Sequence, residues 1–172
     1  KYGAGRERKT ELRTFEADIE SLSTAESTGV GVRVISGGRQ GFAYVGDLDE
    51  NLAREALAEA RDNATFSSVD EHAGLASPDG HPAVDLELWS DALAAFPTDQ
   101  KIAMAIQLER LVRAGDARIR QVVSTDYGDG ESETAIATST GISATSRKTT
   151  CFIAADAVAG EGDDTQTGAG YS

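Results

Sequence analysis

The sequence predicts an α+β protein with a largely antiparallel sheet and two main helices packed on one face. Two observations favour this class. The predicted elements run in the order strands, helix, connection, helix and strands, which differs from the regular alternation of a parallel sheet. A Gly-Gly pair also separates two β-branched runs, as in a tight hairpin. The 172 residues, 40% of them hydrophobic, suffice for one core. We therefore expect residues 1–172 to form one domain.

The first strands are predicted from alternating polarity. Residues Glu7–Leu22 alternate imperfectly, which indicates one long bent strand or two short ones. The polar stretch Ser23–Thr28 predicts a turn. Strands Val30–Ile35 and Phe42–Val45 then flank the glycines at 37–38, which tolerate the positive φ of a tight turn. We expect these two strands to pair antiparallel.

Two helices are predicted from capping residues and apolar spacing. Asp47 and Glu50 form a capping-box-like pair, and the apolar spacing that follows predicts a helix to about Asn63. Thr98 is the predicted cap of a second helix, which Gly115 ends. Between the helices, residues 64–97 predict a long connection with a short element at 86–95, because this stretch contains all three prolines: Pro78, Pro82 and Pro97.

The last third of the chain predicts strands separated by glycine-rich turns. The turns are placed at 127–130 and at Gly141, and Gly160–Gly170 predicts no further element. The strands are Ile119–Val123, Ala135–Thr138 and Ile142–Val158.

Charge and cysteine content restrict the class of partner. With 29 acidic and 16 basic residues the net charge is −13, so the surface repels nucleic-acid backbones. The apolar runs are far shorter than a membrane span. The single Cys151 excludes an internal disulfide and fits a reducing compartment. Because the chain does not begin with Met, a preceding targeting segment stays open.

Metal and nucleophile sites are not predicted. His72 and His81 lie in the proline-containing connection, and a catalytic zinc needs three ligands on rigid supports. The segment Asp126–Glu131 has the composition of a calcium loop without its spacing, which favours a solvated hairpin turn. Cys151 lies within a strand pattern and is expected to be a buried structural thiol. The sequence therefore predicts no catalytic residue and no metal ligand in this chain.

Arg33 is the one candidate binding residue. It interrupts an apolar strand and shares a strand face with Gly31 and Ile35. One interpretation is a salt bridge to one of the many acids. The other is a peptide-binding role, in which the guanidinium holds a carboxylate or a backbone carbonyl.

The sequence resembles the TldD/PmbA family, the modulators of DNA gyrase, and within it the PmbA (TldE) branch. The resemblance begins with GVGVRVISGGRQGFAYVGDLDE at residues 29–50, preceded by an Ile-Glu-Ser segment. It continues through DARIRQVVSTDYGD, IATSTGISAT and TQTGAGYS. The order of these segments along nearly the whole chain carries the resemblance.

The resemblance implies a cytoplasmic metallopeptidase system that trims unstructured peptides. The resemblance implies zinc in a TldD-like partner, held on a His-Glu-x-x-x-His helix that this sequence does not contain. For this chain itself we expect no zinc and no other cofactor. The chain itself would be a non-catalytic scaffold and a wall of a peptide chamber, paired with a TldD-like subunit or as a homodimer. Two alternatives stay open: a stand-alone binding domain unrelated to proteolysis, and a hydrolase that uses dispersed carboxylates.

Overall fold

The computed structural model describes residues 1–81, 84 and 86–172, and its strands form one antiparallel sheet in the order β3-β2-β1-β4-β5-β6. Helices pack on this sheet, so the predicted α+β class is confirmed. A short 3₁₀ turn, Gly162–Asp164, precedes the last strand. The elements are β1 Tyr2–Phe15, β2 Asp18–Ser36, β3 Arg39–Val45, α1 Glu50–Phe66, α2 Asp91–Ala94, α3 Thr98–Gly115, β4 Ile119–Ala137, β5 Ser143–Ala159 and β6 Gln166–Tyr171.

The chain divides into two compact units, and the four long strands β1, β2, β4 and β5 contribute residues to both. Unit 1 holds α1 and β3, and unit 2 holds α2, α3 and β6. Unit 1 consists of Lys1–Glu7, Glu26–Leu88 and Ser132–Lys148, and unit 2 of Arg8–Ala25, Trp89–Glu131 and Thr149–Ser172.

The hairpin of β2 and β3 confirms the predicted antiparallel pairing. Its register runs from Val30 opposite Val45 to Ser36 opposite Arg39. The two residues between the strands are glycines with φ of 58° and 73°, values that a side chain disfavours. The Gly-Gly pair is therefore the two-residue turn that the sequence predicts.

A second tight turn lies where the sequence gives no glycine. Glu16 and Ala17 have φ of 51° and 59° and join β1 to β2. The segment Glu7–Leu22 was predicted to be either one long bent strand or two short strands. It belongs to two strands, β1 and β2, although both are long. The turn predicted at Ser23–Thr28 is wrong, because these residues continue β2 with exposed polar side chains on both faces.

Helix α1 begins two residues later than predicted. The cap is Asp49, whose Oδ1 accepts hydrogen bonds from the N–H groups of Asn51 (2.8 Å) and Leu52 (3.1 Å). Asp47, the predicted cap, instead accepts from the N–H of Leu48. Both aspartates are good capping residues, and only the extended backbone of Asp49 leads into the helix. The helix also runs past Asn63, to Phe66.

Helix α3 begins after Pro97, which is the N-cap residue without a side-chain hydrogen bond. Thr98 is thus the first helical residue rather than the predicted cap. Gly115 ends the helix as predicted. The predicted short element at 86–95 is the one-turn helix α2, and Pro82, part of the predicted connection, lies outside the described residues.

The turn predicted at 127–130 is wrong, because these residues lie inside β4. Gly128 instead leaves room for the ring of Phe152 of β5, because a Cβ at this position would overlap that ring. The segment Gly160–Gly170, predicted to hold no element, contains most of β6, which pairs with β5. The hinge at Gly141 is confirmed, with φ of 99° between β4 and β5.

The core of unit 1 is built from small residues. Helix α1 buries Ala56, Ala60 and Ala64, and the first two join a cluster with valines of β2 and with Ala43 of β3. A Cβ at Gly41 would lie 2.0 Å from the carbonyl oxygen of Ala60, so the helix backbone touches the strand backbone.

The core of unit 2 lies under α3. It contains Leu12, Ala105 and Tyr127, with Phe96 and Ile102 packed at its border. The strand residues of these two cores come from β1 to β5.

We expect Gly41→Ala to lower the free energy of unfolding by about 2 kcal/mol or more, because α1 must shift to admit the methyl group. Urea unfolding followed by circular dichroism measures the change. The matched control is Gly46→Ala, where a Cβ meets nothing within 4 Å. Equal stability of Gly41→Ala and Gly46→Ala would contradict the close approach.

We expect Ala17→Gly to raise the free energy of unfolding by about 1 kcal/mol, because it removes the strain of a left-handed alanine. Gly37→Ala provides the opposite control: its Cβ would meet no atom within 4 Å, yet its φ is positive. The free energy of unfolding of Gly37→Ala should fall by a similar amount. A destabilised Ala17→Gly would show that the turn differs from the one described.

Candidate functional site

Arg33 lies near the C-terminal end of β2, in unit 1, on the sheet face away from α1. Its neighbours Val32 and Val34 pack against the α1 core, so the side chain of Arg33 points to the opposite face. Phe42 of β3 is directly opposite Arg33. The backbone N–H of Arg33 donates to the carbonyl oxygen of Lys1 at 2.8 Å, which fixes the residue between two strands.

Two exposed aromatic rings lie beside Arg33 over a glycine floor. Phe42 and Tyr44 are each 58% exposed. A Cβ at Gly31 would lie 3.3 Å from the Phe42 ring, and one at Gly29 would overlap the ring of Tyr44. The Tyr44 hydroxyl donates to the carbonyl oxygen of Thr28 at 3.0 Å, so the phenol is held down on the sheet. The rings present flat apolar surface to a ligand.

The Arg33 guanidinium is not fully satisfied within the protein. Its Nε is buried and has no hydrogen-bond partner among the described residues, and within the same part of the chain Arg33 makes no ion pair. A guanidinium can bind a carboxylate or a carbonyl through two parallel N–H groups. We call this surface, made of Gly29, Gly31, Arg33, Phe42 and Tyr44, the Arg33 face.

The two histidines are exposed in the connection after α1. The backbone N–H groups of His72 and His81 donate to the side chains of Asp70 (2.9 Å) and Asp79 (3.0 Å), which forms local turns. Over residues 1–81, 84 and 86–172, no three side chains of His, Cys, Asp or Glu are grouped as metal ligands.

Cys151 is exposed, so the prediction of a buried thiol is wrong. Its strand, β5, is solvent-exposed over most of its first half. The predicted strand is correct, but the strand pattern did not indicate that this stretch of β5 is exposed.

The acids of the segment Asp126–Glu131 bind basic side chains of the protein. Asp126 accepts from the Nε of Arg13 at 2.7 Å, and this hydrogen bond raises the pKa of Arg13. Glu131 lies 3.9 Å from Arg8. The solvated turn predicted here is wrong, because the segment is a paired strand with its carboxylates in use.

A buried polar network in unit 2 was missed by sequence reasoning. Lys101 of α3 forms an ion pair with Asp129 of β4, and both side chains are largely buried. The hydroxyl of Tyr127 donates to the same carboxylate at 2.8 Å. Burial, followed by this hydrogen bond, raises the pKa of Tyr127. The available signal was the stripe of Lys101, Ala105 and Glu109 on one helix face.

This network satisfies its own charges. The Lys101 ammonium also lies 5.9 Å above the ring of Tyr127, so the cation has two favourable partners. The lysine and the carboxylate neutralise each other, so this network joins α3 to β4 and its charges are already used within unit 2.

No helix within the described residues is both long and apolar enough to cross a membrane.

The fold and the sequence place this chain in a class of proteins, a metallopeptidase family. The family models that match are the PmbA/TldA metallopeptidase domain 1, over residues 4–64, and the PmbA/TldA metallopeptidase central domain, over residues 91–172. This chain therefore belongs to the PmbA/TldD family, as the resemblance indicated.

Particular relatives are similar over part of their length. A metalloprotease PmbA homolog from Haemophilus influenzae is 31% identical over 104 residues, which cover 59% of this chain and 23% of that protein. TldE from Thermococcus kodakarensis superimposes with a TM-score of 0.85 at 19% identity. A protein from Thermotoga maritima, described as a candidate modulator of a DNA gyrase, superimposes with a TM-score of 0.83 at 19% identity.

Both solved structures share this fold over 99% of the present chain, which spans 38% of each of theirs. At this level of identity the likeness establishes the fold. The chain also spans less than a quarter of the curated relative that it matches.

Tyr127→Phe tests the buried hydroxyl through its pH dependence. The pKa of Tyr127 is higher in the folded state than in the unfolded state, so the neutral phenol contributes stability that is complete below pH of about 10. This contribution is lost as the pH rises through the folded-state pKa. Between about pH 8 and about pH 11, the parent should therefore lose about 1 kcal/mol more unfolding free energy than Tyr127→Phe.

Urea unfolding at the two pH values measures this difference. Tyr171→Phe is the control, because Tyr171 is 90% exposed, and it should lose as much stability as the parent. If Tyr127→Phe shows the same alkaline loss as the parent, the buried phenol is not the titrating group.

Proposed function

We propose that this chain is the non-catalytic, peptide-binding part of a PmbA/TldE-like subunit. In this proposal it forms a wall of a peptide chamber in a cytoplasmic metallopeptidase system. A TldD-like subunit is the preferred partner, and a homodimer is the alternative assembly. The observation that carries the proposal is the Arg33 face in a member of a peptidase family.

The Arg33 face offers the groups that recognise an extended peptide. The guanidinium suits a terminal carboxylate or a backbone carbonyl, and Phe42 and Tyr44 provide flat apolar surface for side chains. These are groups for binding and positioning, whereas peptide hydrolysis needs an activated nucleophile or a metal-bound water. The face therefore supports recognition of a substrate that is cut by another subunit.

Zinc is assigned to the partner in this proposal. The described residues do not offer the three grouped ligands that a catalytic zinc requires. When bound in a TldD-like partner, zinc would activate the water that attacks the peptide bond. No step of the hydrolysis is assigned to a residue of this chain.

Peptide binding tests the Arg33 face directly. We expect Arg33→Ala to weaken binding of a fluorescent unstructured peptide by about tenfold, because a bidentate charged hydrogen bond is lost. Fluorescence anisotropy measures the affinity. Arg61→Ala, at an exposed position of α1, is the matched control and should bind like the parent. Urea unfolding of Arg33→Ala should stay within about 0.5 kcal/mol of the parent.

A cleavage assay separates the proposal from its alternatives. We expect peptide cleavage only when a zinc-bearing TldD-like subunit is present, and a chelator should abolish it. Chelator-insensitive cleavage by this chain alone would support the hydrolase with dispersed carboxylates. Peptide binding that leaves the partner's cleavage rate and products unchanged would support a binding domain unrelated to proteolysis. If Arg33→Ala unfolds the protein, Arg33 has a structural role instead.

A further inference from the structure

A small polar cavity lies inside unit 2, beside the ion pair of Lys101 and Asp129. Its volume is about 20 Å³, and the residues that line it come from β1, α2, α3, β4 and β5. A pocket for an organic ligand measures about 300 Å³ or more, whereas one water molecule needs about 10 to 15 Å³. The cavity therefore has the size of a site for a single water.

The Lys101 ammonium has hydrogen-bonding capacity that its ion pair does not use. An ammonium group carries three N–H donors. Among the described residues its polar partner is the Oδ2 atom of Asp129, and the ring of Tyr127 lies 5.9 Å from the nitrogen. The lysine side chain is only 9% exposed, so bulk solvent does not surround the ammonium. At least one N–H is thus left for a partner inside the cavity.

Two oxygen atoms of the cavity wall also have no partner within the described part of the chain. Asp129 uses Oδ2 for both Lys101 and Tyr127, which leaves its Oδ1. The hydroxyl of Thr10 makes no hydrogen bond there either, although Thr10 is only 5% exposed. Neither oxygen is fully enclosed by protein atoms, so each has room for a water molecule beside it.

The charges around the cavity sum to zero, which favours a neutral occupant. Lys101 is matched by Asp129, and Arg8 lies 3.9 Å from Glu131. An ion would add an unbalanced charge beside a largely buried pair, which is costly. The occupant must also both accept and donate, because the wall offers an ammonium N–H and a carboxylate oxygen. A water molecule meets all of these requirements.

We propose that one ordered water occupies this cavity as a structural ligand of unit 2. The water accepts from the Lys101 ammonium and donates to Oδ1 of Asp129 and to the hydroxyl oxygen of Thr10. The hydroxyl of Thr149, which accepts from the N–H of Ser90 at 3.0 Å, donates its own proton to the water. Four hydrogen bonds are within the usual number for a buried water. The molecule joins α3, β1, β4 and β5, and this inference is independent of the proposed function.

Replacing Thr10 gives results of opposite sign with and without the water. Thr10→Val keeps the shape of the side chain and removes the hydroxyl. With the water present, this variant loses a hydrogen bond, and we expect its equilibrium constant of unfolding to rise about fivefold. In a dry cavity the valine would instead replace an unpaired buried hydroxyl, and the constant would fall.

Urea unfolding of the parent chain and its variants measures this constant. Thr24→Val is the matched control, because Thr24 is an exposed residue of β2 in unit 2. The control makes the same chemical change away from the cavity, so it should alter the constant less than about twofold.

Crystallography of the parent chain and of Thr10→Val locates the water directly. In the parent we expect a density peak within about 2.7 to 3.2 Å of both Lys101 Nζ and Asp129 Oδ1. In Thr10→Val this peak should be weaker or displaced from the valine. Soaking parent crystals in rubidium bromide distinguishes water from an ion, because both ions scatter anomalously and neither should appear in the cavity.

The inference is wrong if the parent crystal shows no density in the cavity, or if rubidium or bromide binds there. It is also wrong if Thr10→Val is more stable than the parent chain. The density in the parent crystal decides the question even if Thr10→Val does not fold.

Discussion

The close approach of α1 to β3 is the constraint on which unit 1 depends. A glycine at position 41 and alanines at positions 60 and 64 bring the two backbones into contact. Because the helix lies so close, Asn63 and Ser67 reach the outward backbone groups of β3. The same close packing therefore positions the helix and gives two outward backbone groups of β3 a side-chain partner. Larger residues here would fill the same space but would move the helix away from the edge that it covers.

The same constraint explains where the exposed aromatic side chains and Arg33 of unit 1 lie. Since the helix side of β2 and β3 accepts only small and β-branched residues, the aromatic Phe42 and Tyr44 are confined to the other face. Arg33, between two helix-facing valines, is placed on that face by the period of the strand. Gly29 and Gly31 then let the rings lie flat, so the Arg33 face follows from alternation in two strands.

The features that could be predicted from the sequence are those set by residues adjacent in the chain. The Gly-Gly turn, the pairing of β2 with β3 and the end of α3 at Gly115 belong to this group. Long-range contacts decided the rest. The Glu16-Ala17 turn has no glycine to mark it, and Tyr127-Gly128 resembles a turn until Phe152 is seen to fill the space above the glycine. Arg33 was identified because a charge inside an apolar strand is visible locally, whereas Lys101 and Asp129 meet only in the fold.

Lys101 and Arg33 are two cationic side chains whose polar groups the fold satisfies to different degrees. Lys101 is buried against a carboxylate and an aromatic ring, so its charge is already used within the protein. Removing one partner of such a pair leaves an uncompensated charge, which is costly. Arg33 has a buried Nε that finds no hydrogen-bond partner among the described residues, so this donor is left unsatisfied by that part of the chain. The Lys101 charge is thus already used within unit 2, whereas the unmet Arg33 donor is the observation from which the proposed peptide-binding role is argued.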